Sequence, residues 1–172
     1  MEISKRLRIE PLRVAHVEAM FPILLDERIY AFIPTRRHIT PAGLAERFRK
    51  LEAGSPDPGE EWLNWCLFRR DDGSAIGYLQ ATVSQTDRAA WVAYVLTPGA
   101  WGHGYATEAL DWLLKHLAIA GRVDLARAQI DSRNAASLTV VERLKFEKKM
   151  DVVEDGVVDY VFERLVRPEA AS

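Results

Sequence analysis

One stretch constrains this chain more than any other: Thr97-Pro-Gly-Ala-Trp-Gly-His-Gly-Tyr-Ala-Thr-Glu-Ala-Leu110. It follows a short apolar run ending at Leu96 that reads as a strand. It leads into an amphipathic helical pattern over Tyr105–Ala120. Gly102 and Gly104 bracket the turn between the two. Glycine takes positive φ without steric cost and lets a backbone approach a ligand closely. The first N–H groups of the helix that follows have no intrahelical acceptor. Strand, glycine turn and helix start together suit a pyrophosphate. The same residues also serve as a plain strand-to-helix connection, and this segment alone does not separate the two readings. Residue type excludes two other phosphate sites. A dinucleotide fingerprint needs a third glycine where Thr107 stands. A Walker A loop ends in Gly-Lys-Ser/Thr, and no lysine lies between Thr97 and Leu114.

The rest of the chain reads as alternating strands and helices. Leu7–Leu12 predicts a strand closed by Pro11. Arg13–Leu25 puts Val14, Val17, Met20, Phe21, Leu24 and Leu25 near one helical face, with a break or kink at Pro22. Residues 26–39 are irregular. Thr40-Pro41 starts a helix that runs to about Ala53, carrying Leu44, Phe48 and Leu51 on one face. Trp62–Arg69 and Ser74–Ser84 form a hairpin around Asp71-Asp72-Gly73. Both faces of that hairpin are apolar, as in a sheet covered on two sides. Asn64 and Gln80 are polar members of these strands, fit either for hydrogen bonding in the core or for an acceptor cleft. Ala89–Leu96 is a third antiparallel strand. The helix Tyr105–Ala120 buries Ala106, Ala109, Leu110, Leu113, Leu114 and Leu117. Glu108 suits the positive end of its dipole, and Gly121 closes it. Val123–Ile130 is entered from a helix and so pairs in parallel. Asn134 caps a helix to Arg143, Phe146–Val153 and Val157–Val166 make a closing hairpin, and residues 167–172 read as a frayed tail.

Bulk properties narrow the function classes. A chain of 172 residues suits one domain with a core over about residues 7–166. Its 23 basic and 25 acidic residues argue against a general nucleic-acid or membrane-surface binder. Cys66 is the only cysteine, which excludes an intramolecular disulfide and a cysteine-type metal site. It reads as a buried structural thiol. The four histidines lack ligand spacing, so no metal is expected. The charged N-terminus does not read as a signal peptide, and no run approaches the ~18 apolar residues of a membrane span. The expectation is a soluble, cytoplasmic protein.

Trp101-Gly-His-Gly-Tyr-Ala106 resembles the Arg/Gln-x-x-Gly-x-Gly/Ala acetyl-CoA motif of the GNAT N-acetyltransferase superfamily. It is closer still to the Trp-Gly-x-Gly-Tyr-Ala-Thr-Glu-Ala form of the RimJ/RimL-like branch. A second block, Asn134-Ala-Ala-Ser137 followed by Leu144-Lys-Phe146, is similar to that branch's Asn-x-x-Ser…Leu-Gly-Phe. The resemblance runs from about Leu7 to Leu165. It implies an α/β GNAT fold: a mixed, mostly antiparallel sheet of about seven strands with about four helices on both faces. It implies transfer of acetyl from acetyl-CoA to a primary amine, a protein N-terminus or a small amine, by direct attack in a ternary complex.

On this resemblance Val95, Leu96, Thr97, Trp101, Gly102, His103, Gly104, Tyr105, Ala106, Thr107, Asn134 and Ser137 contact acetyl-CoA. The Leu96 N–H holds the acetyl oxygen, and Ser137 is positioned to protonate the leaving thiolate. Tyr30, Phe32 and Arg36 fall on the acceptor side; their alternative is core packing for the rings and a solvated face for the arginine. Tyr94 is either a cleft hydroxyl or core. The chain also departs from the family pattern. Lys145 replaces a turn glycine. Val141 stands where many relatives carry a tyrosine acid. The strand before the loop has no acidic residue, so the general base is unassigned. A non-catalytic acyl-CoA-binding or regulatory module is the competing reading, and a homodimer is compatible with either.

Overall fold

The computed structural model describes residues 2–33 and 40–166. One eight-stranded sheet runs through it, built from β1 (Glu2–Ile3), β2 (Leu7–Pro11), β3 (Glu60–Arg69), β4 (Ala75–Ser84), β5 (Ala89–Leu96), β6 (Leu125–Asp131), β7 (Glu147–Glu154) and β8 (Val157–Leu165). The helices are α1 (Val17–Leu24), α2 (Pro41–Ala53), α3 (Tyr105–Ala120) and α4 (Ala135–Arg143). Spatial order is β1-β2-β3-β4-β5-β6-β8-β7. Every neighbouring pair is antiparallel except β5 with β6. The expected mixed, mostly antiparallel sheet is therefore present. The strand beyond the expected seven is the two-residue β1, too short to leave a periodic signal.

The two faces of the sheet carry separate cores. On one, α3 and α4 cover β2–β6: Leu110, Leu113, Leu114 and Leu117 pack with Leu79, Val92, Ala126 and Val141. On the other, α1 and α2 bring Met20, Leu24, Leu44 and Phe48 against Cys66 and Phe68. Each such aliphatic or aromatic side chain contributes about 1.5–3 kcal/mol on leaving water. The α3 stripe is buried as its periodicity requires, and Gly121 ends the helix in the left-handed region at φ 66°. Helix α1 is shorter than expected: residues 14–16 form a 3-10 turn before it, and the helix continues past Pro22 without breaking. Burial pushes the Cys66 thiol up to about 12, helped by the nearby Glu10 charge, so it is inert at neutral pH. No described helix is long and apolar enough to cross a membrane.

One departure from regular pairing opens the molecule. β5 and β6 are in register only at Ala89↔Leu125, Ala90↔Ala126 and Trp91↔Arg127. Beyond Trp91 the two strands run on to Leu96 and Asp131 without pairing to each other. The sheet splits there into a V.

Candidate active site

The V opens into a cleft of about 670 Å³, within the usual range for a small-molecule site. Its walls are the free lengths of β5 and β6, the start of α3, one face of α4, and residues from β4, α2 and the turn before residue 34. Residues from both faces of the sheet line it, so the cleft passes through the sheet at the split.

The edge of β5 supplies the first functional group. Thr97 donates its N–H to Ile76 O at 2.8 Å, toward β4. Successive residues of an antiparallel strand turn their N–H groups alternately to either side. Leu96, paired with Gly77 one step back, therefore turns its N–H away from β4 and into the split. Its carbonyl points the same way and accepts the Trp101 indole N–H at 2.9 Å. Trp101 thus ties the glycine loop to the end of β5 and leaves the Leu96 N–H as the donor presented to the cleft.

The glycine loop supplies the second. Gly102 and Gly104 have φ of 76° and 78°, the left-handed region that glycine occupies without strain. Gly104 is the N-cap of α3, and the first backbone bond of the helix is Glu108 N–H to Gly104 O at 3.1 Å. The earlier N–H groups of the turn have no acceptor within the helix. Trp101, Gly102, Gly104, Tyr105, Ala106 and Thr107 line the cleft. The Thr107 hydroxyl is buried and has no hydrogen-bond partner among the described residues, which is costly unless a ligand satisfies it. An anionic ligand with additional acceptors fits this turn.

The third group joins β5 to α4. Tyr94 Oη donates to Ser137 Oγ at 3.0 Å, across the split. Asn134 caps α4 as expected, its side chain accepting the Ser137 N–H at 3.1 Å. Burial pushes the Tyr94 phenol above its ordinary value, and the bond to Ser137 offsets only part of that. Tyr94 therefore stays protonated and acts as a donor, not as a base. Val141, the position at which the family resemblance leads one to expect a tyrosine in many members, is fully buried. A tyrosine hydroxyl thus reaches the cleft from β5 instead of α4.

The other sequence candidates divide. Val95, Phe32 and Gln80 line the cleft. Thr97 and His103 do not: they border a separate cavity of about 270 Å³. Tyr30 donates its hydroxyl to Leu24 O at 2.8 Å, a tertiary bond within the α1 region. Asn64 accepts the Gln80 side-chain N–H at 2.9 Å and stays behind it, away from the cleft lining. Arg36 lies outside the described residues. Lys145 takes the turn conformation of the glycine it replaces, at φ 60°.

Sequence reading missed Arg6. Its guanidinium donates to Glu108 Oε2 at 2.7 Å and to His103 O at 2.8 Å, and lies 4.5 Å from the centre of the Tyr105 ring. Glu108 also accepts from Ser4 Oγ at 2.7 Å and from the Arg6 N–H at 2.6 Å. Glu108 is therefore the structural residue expected, and it clamps the glycine loop to the chain start. No local signal marks a contact across 102 residues. Burial pushes the Glu108 carboxyl up, but Ser4 and both groups of Arg6 together hold it below its ordinary 4.5. With the folded value depressed, this stabilisation is complete above about pH 4.5 and is lost as pH falls through the folded value. Glu108→Gln should cost about 1–3 kcal/mol at neutral pH. In urea denaturation the gap to wild type should narrow as pH is lowered through the acid range; a gap that stays constant would show the carboxylate charge to be irrelevant.

Among the described residues no group of three or more His, Cys, Asp or Glu side chains could hold a metal. Of the described cleft lining only Asp131 carries a carboxylate. Arg133 binds it at 2.6 and 2.9 Å and holds it below its ordinary range.

Residues 6–147 match a family model described as an acetyltransferase (GNAT) domain. No curated protein matches the sequence. Among solved structures, the ribosomal-protein-S5-alanine acetyltransferase of Vibrio fischeri superposes with a TM-score of 0.84 at 16% identity, covering 96% of both chains. RimL, the ribosomal L7/L12 α-N-protein acetyltransferase solved with coenzyme A, gives 0.81 at 16% identity, over 96% of this chain and 97% of that one. The spermidine N-acetyltransferase of Vibrio cholerae, solved with coenzyme A and spermine, gives 0.81 at 13% identity, over 95% and 97%. At such identities these likenesses establish the fold.

Proposed function

This chain belongs to the GNAT acetyltransferase family, and we propose that it acetylates the α-amine of a protein or peptide N-terminus, in the manner of the RimJ/RimL-like branch. The acetyl donor is acetyl-CoA. The observation that carries the reading is the Leu96 N–H turned into the same cleft as the Tyr94–Ser137 hydroxyl pair. An N–H preset at that edge stabilises charge developing on the thioester oxygen. Ser137, receiving a hydrogen bond from Tyr94, has its own proton free to give to the departing thiolate. The phosphates fit the glycine turn and the start of α3. The Thr107 hydroxyl and Arg143, on the α4 side of the same cleft, are further groups for the donor.

The choice of amine follows from the lack of a base among the described cleft residues. An ammonium has no lone pair, so the acceptor must shed a proton before it attacks. No described residue of the cleft is fit to take it: Asp131 is locked to Arg133, Tyr94 stays protonated, and no histidine lines the walls. An α-amine, with pKa near 8, is about half neutral at that pH, whereas a lysine-like amine near 10.4 is under about 1% neutral. A site whose described residues offer no base therefore favours the α-amine by roughly two orders of magnitude in reactive species.

Acetyl-CoA-dependent thiol release, with N-terminal peptides against polyamines, tests this. Ser137→Ala should lower kcat by about 10²-fold with KM for acetyl-CoA nearly unchanged, the mark of a group that acts in the transition state. Tyr94→Phe should lower kcat less, since Ser137 keeps its hydroxyl. Coenzyme A binding without amine-stimulated release would favour the non-catalytic binding module.

A further inference from the structure

Helix α2 carries an anomaly on its buried face. Leu44, Phe48 and Leu51 form its inward stripe, spaced by four and three residues. That spacing makes position 47 part of the same stripe, and the residue there is Arg47. The side chain is half-buried and lines the cleft. Other described arginines with partly covered heads are satisfied: Arg8 by Glu10, Arg127 by Asp87 and Glu163, Arg164 by the Leu144 carbonyl. Arg47 forms no ion pair or hydrogen bond with any described residue. The ring of Tyr78 lies 6.0 Å from its guanidinium carbon, at the limit of a cation–π contact. None of the Arg47 guanidinium nitrogens is buried, so the head is open to the cleft and can take an acceptor supplied there.

The place of Arg47 says what that acceptor belongs to. Tyr78 pairs with Val95, next to Leu96, so Arg47 borders the same cleft as the edge that presents the Leu96 N–H. It stands on the α1–α2 face, whereas Tyr94 and Ser137 belong to the α3–α4 face. That is the side on which the glycine loop and α4 do not intrude. The neighbouring cation, Arg28, is already neutralised by a two-point pair with Asp26 at 2.6 and 2.9 Å. Among the described cleft residues this side offers no carboxylate, so nothing there would hold a polyamine's cationic tail.

We infer that the acceptor carries a carboxylate close to its reacting amine and that Arg47 binds it, as in a peptide whose second or third residue is acidic. The inference rests on the N-terminal acceptor proposed above and narrows it to acidic sequences. A guanidinium takes a carboxylate with two parallel donors, and such charge-assisted bonds are about twice as strong as neutral ones.

The test compares three peptides that differ only at position 2, Ser-Glu, Ser-Gln and Ser-Lys, with free glutamate and spermidine as further arms. Wild type should show kcat/KM at least tenfold higher for the Glu than for the Gln peptide, with the Lys peptide lowest. Arg47→Gln should equalise the Glu and Gln peptides. Arg47→Glu should invert the order in favour of Lys, while KM for acetyl-CoA and the melting temperature hold in both variants. Preference for free glutamate over the peptides would keep the carboxylate site and assign it to a small amino acid. Equal rates for the three peptides in wild type, a ranking unmoved by Arg47→Glu, or spermidine as the best acceptor would each overturn the inference. Peptide binding to the CoA-loaded protein, read by fluorescence, separates it from the parent proposal. Glu over Gln over Lys in binding without turnover sustains the Arg47 site and refutes N-terminal acetylation; no selective binding refutes the site itself.

Discussion

Gly77→Ala should disable this protein more thoroughly than any other single added methyl. A Cβ at position 77 would stand 2.0 Å from the Val95 carbonyl oxygen and 2.9 Å from a methyl of Leu96. The first obstacle is backbone, so no rotamer change relieves it; β4 and β5 must move apart by about the missing ångström of van der Waals contact. Val95 and Leu96 are the end of β5 that turns the Leu96 N–H into the cleft, and the Thr97–Ile76 hydrogen bond that sets this orientation lies one residue away. Overpacking of this kind costs about 3 kcal/mol, which for a domain of this size lowers Tm by roughly 6–12 °C. Activity should suffer beyond stability, because a 1 Å displacement of a preset donor can cost about 10²-fold in rate. The control is Gly99→Ala: a Cβ there meets nothing within 4 Å, and its effect should stay within about 0.5 kcal/mol. Thermal denaturation and kcat/KM of the two variants decide the matter. A Gly77→Ala protein with wild-type Tm and rate would show that the β4–β5 edge does not set the reacting geometry.

What could be read from the sequence follows from the range of the interactions concerned. Helix α3 was predictable to the residue because its signals are local: a glycine in the left-handed region at each end and a leucine stripe between them. Asn134 was equally legible, since a cap acts three residues away. The two motif blocks placed the glycine loop and Ser137 in one site. The split between β5 and β6 leaves no periodic trace, as both strands continue with ordinary apolar residues past Trp91 and Arg127. The same is true of the Tyr94–Ser137 contact, set by sheet order across 43 residues, and of the Arg6–Glu108 clamp. Thr97 and His103 were assigned by position in a motif, but side-chain direction in a glycine-rich turn does not follow from spacing, and both border the smaller cavity. Arg47 did leave a signal: a charged residue at a position of the α2 stripe where periodicity calls for an apolar one. Such a residue at the edge of a stripe is paired, solvated or available to a ligand, and its position on the cleft is what separates these here.

Gly104→Glu should abolish acetyl-CoA binding while leaving the fold largely intact, and the separation of those two effects is what makes it informative. At φ 78° any L-residue is strained, at a cost of about 1–2 kcal/mol. Space is not the obstacle: an added Cβ meets only the Arg6 guanidinium, at 3.5 Å. A carboxylate at the start of α3 also interacts favourably with the helix dipole, recovering about 0.3–1 kcal/mol, and Arg6 stands beside it as a partner. The unliganded variant should therefore melt within a few degrees of wild type. The new charge, however, occupies the turn whose unpaired N–H groups suit a pyrophosphate, and like charge and bulk both oppose the ligand. Coenzyme A at 100 times its Kd stabilises wild type by about 2.7 kcal/mol through mass action, a clear rise in Tm. In Gly104→Glu that rise should vanish, with Kd increased at least about 100-fold, a loss of ~2.7 kcal/mol. Gly104→Ala carries the backbone strain without the charge, and should lower the unliganded Tm at least as much as Gly104→Glu does, since it lacks the dipole and Arg6 gains, while keeping most of the ligand-induced rise. If Gly104→Glu still binds coenzyme A as wild type does, the phosphates do not lie against residues 102–107. The Leu96 edge and the Tyr94–Ser137 pair would then have to be supplied with an acyl donor from elsewhere in the cleft.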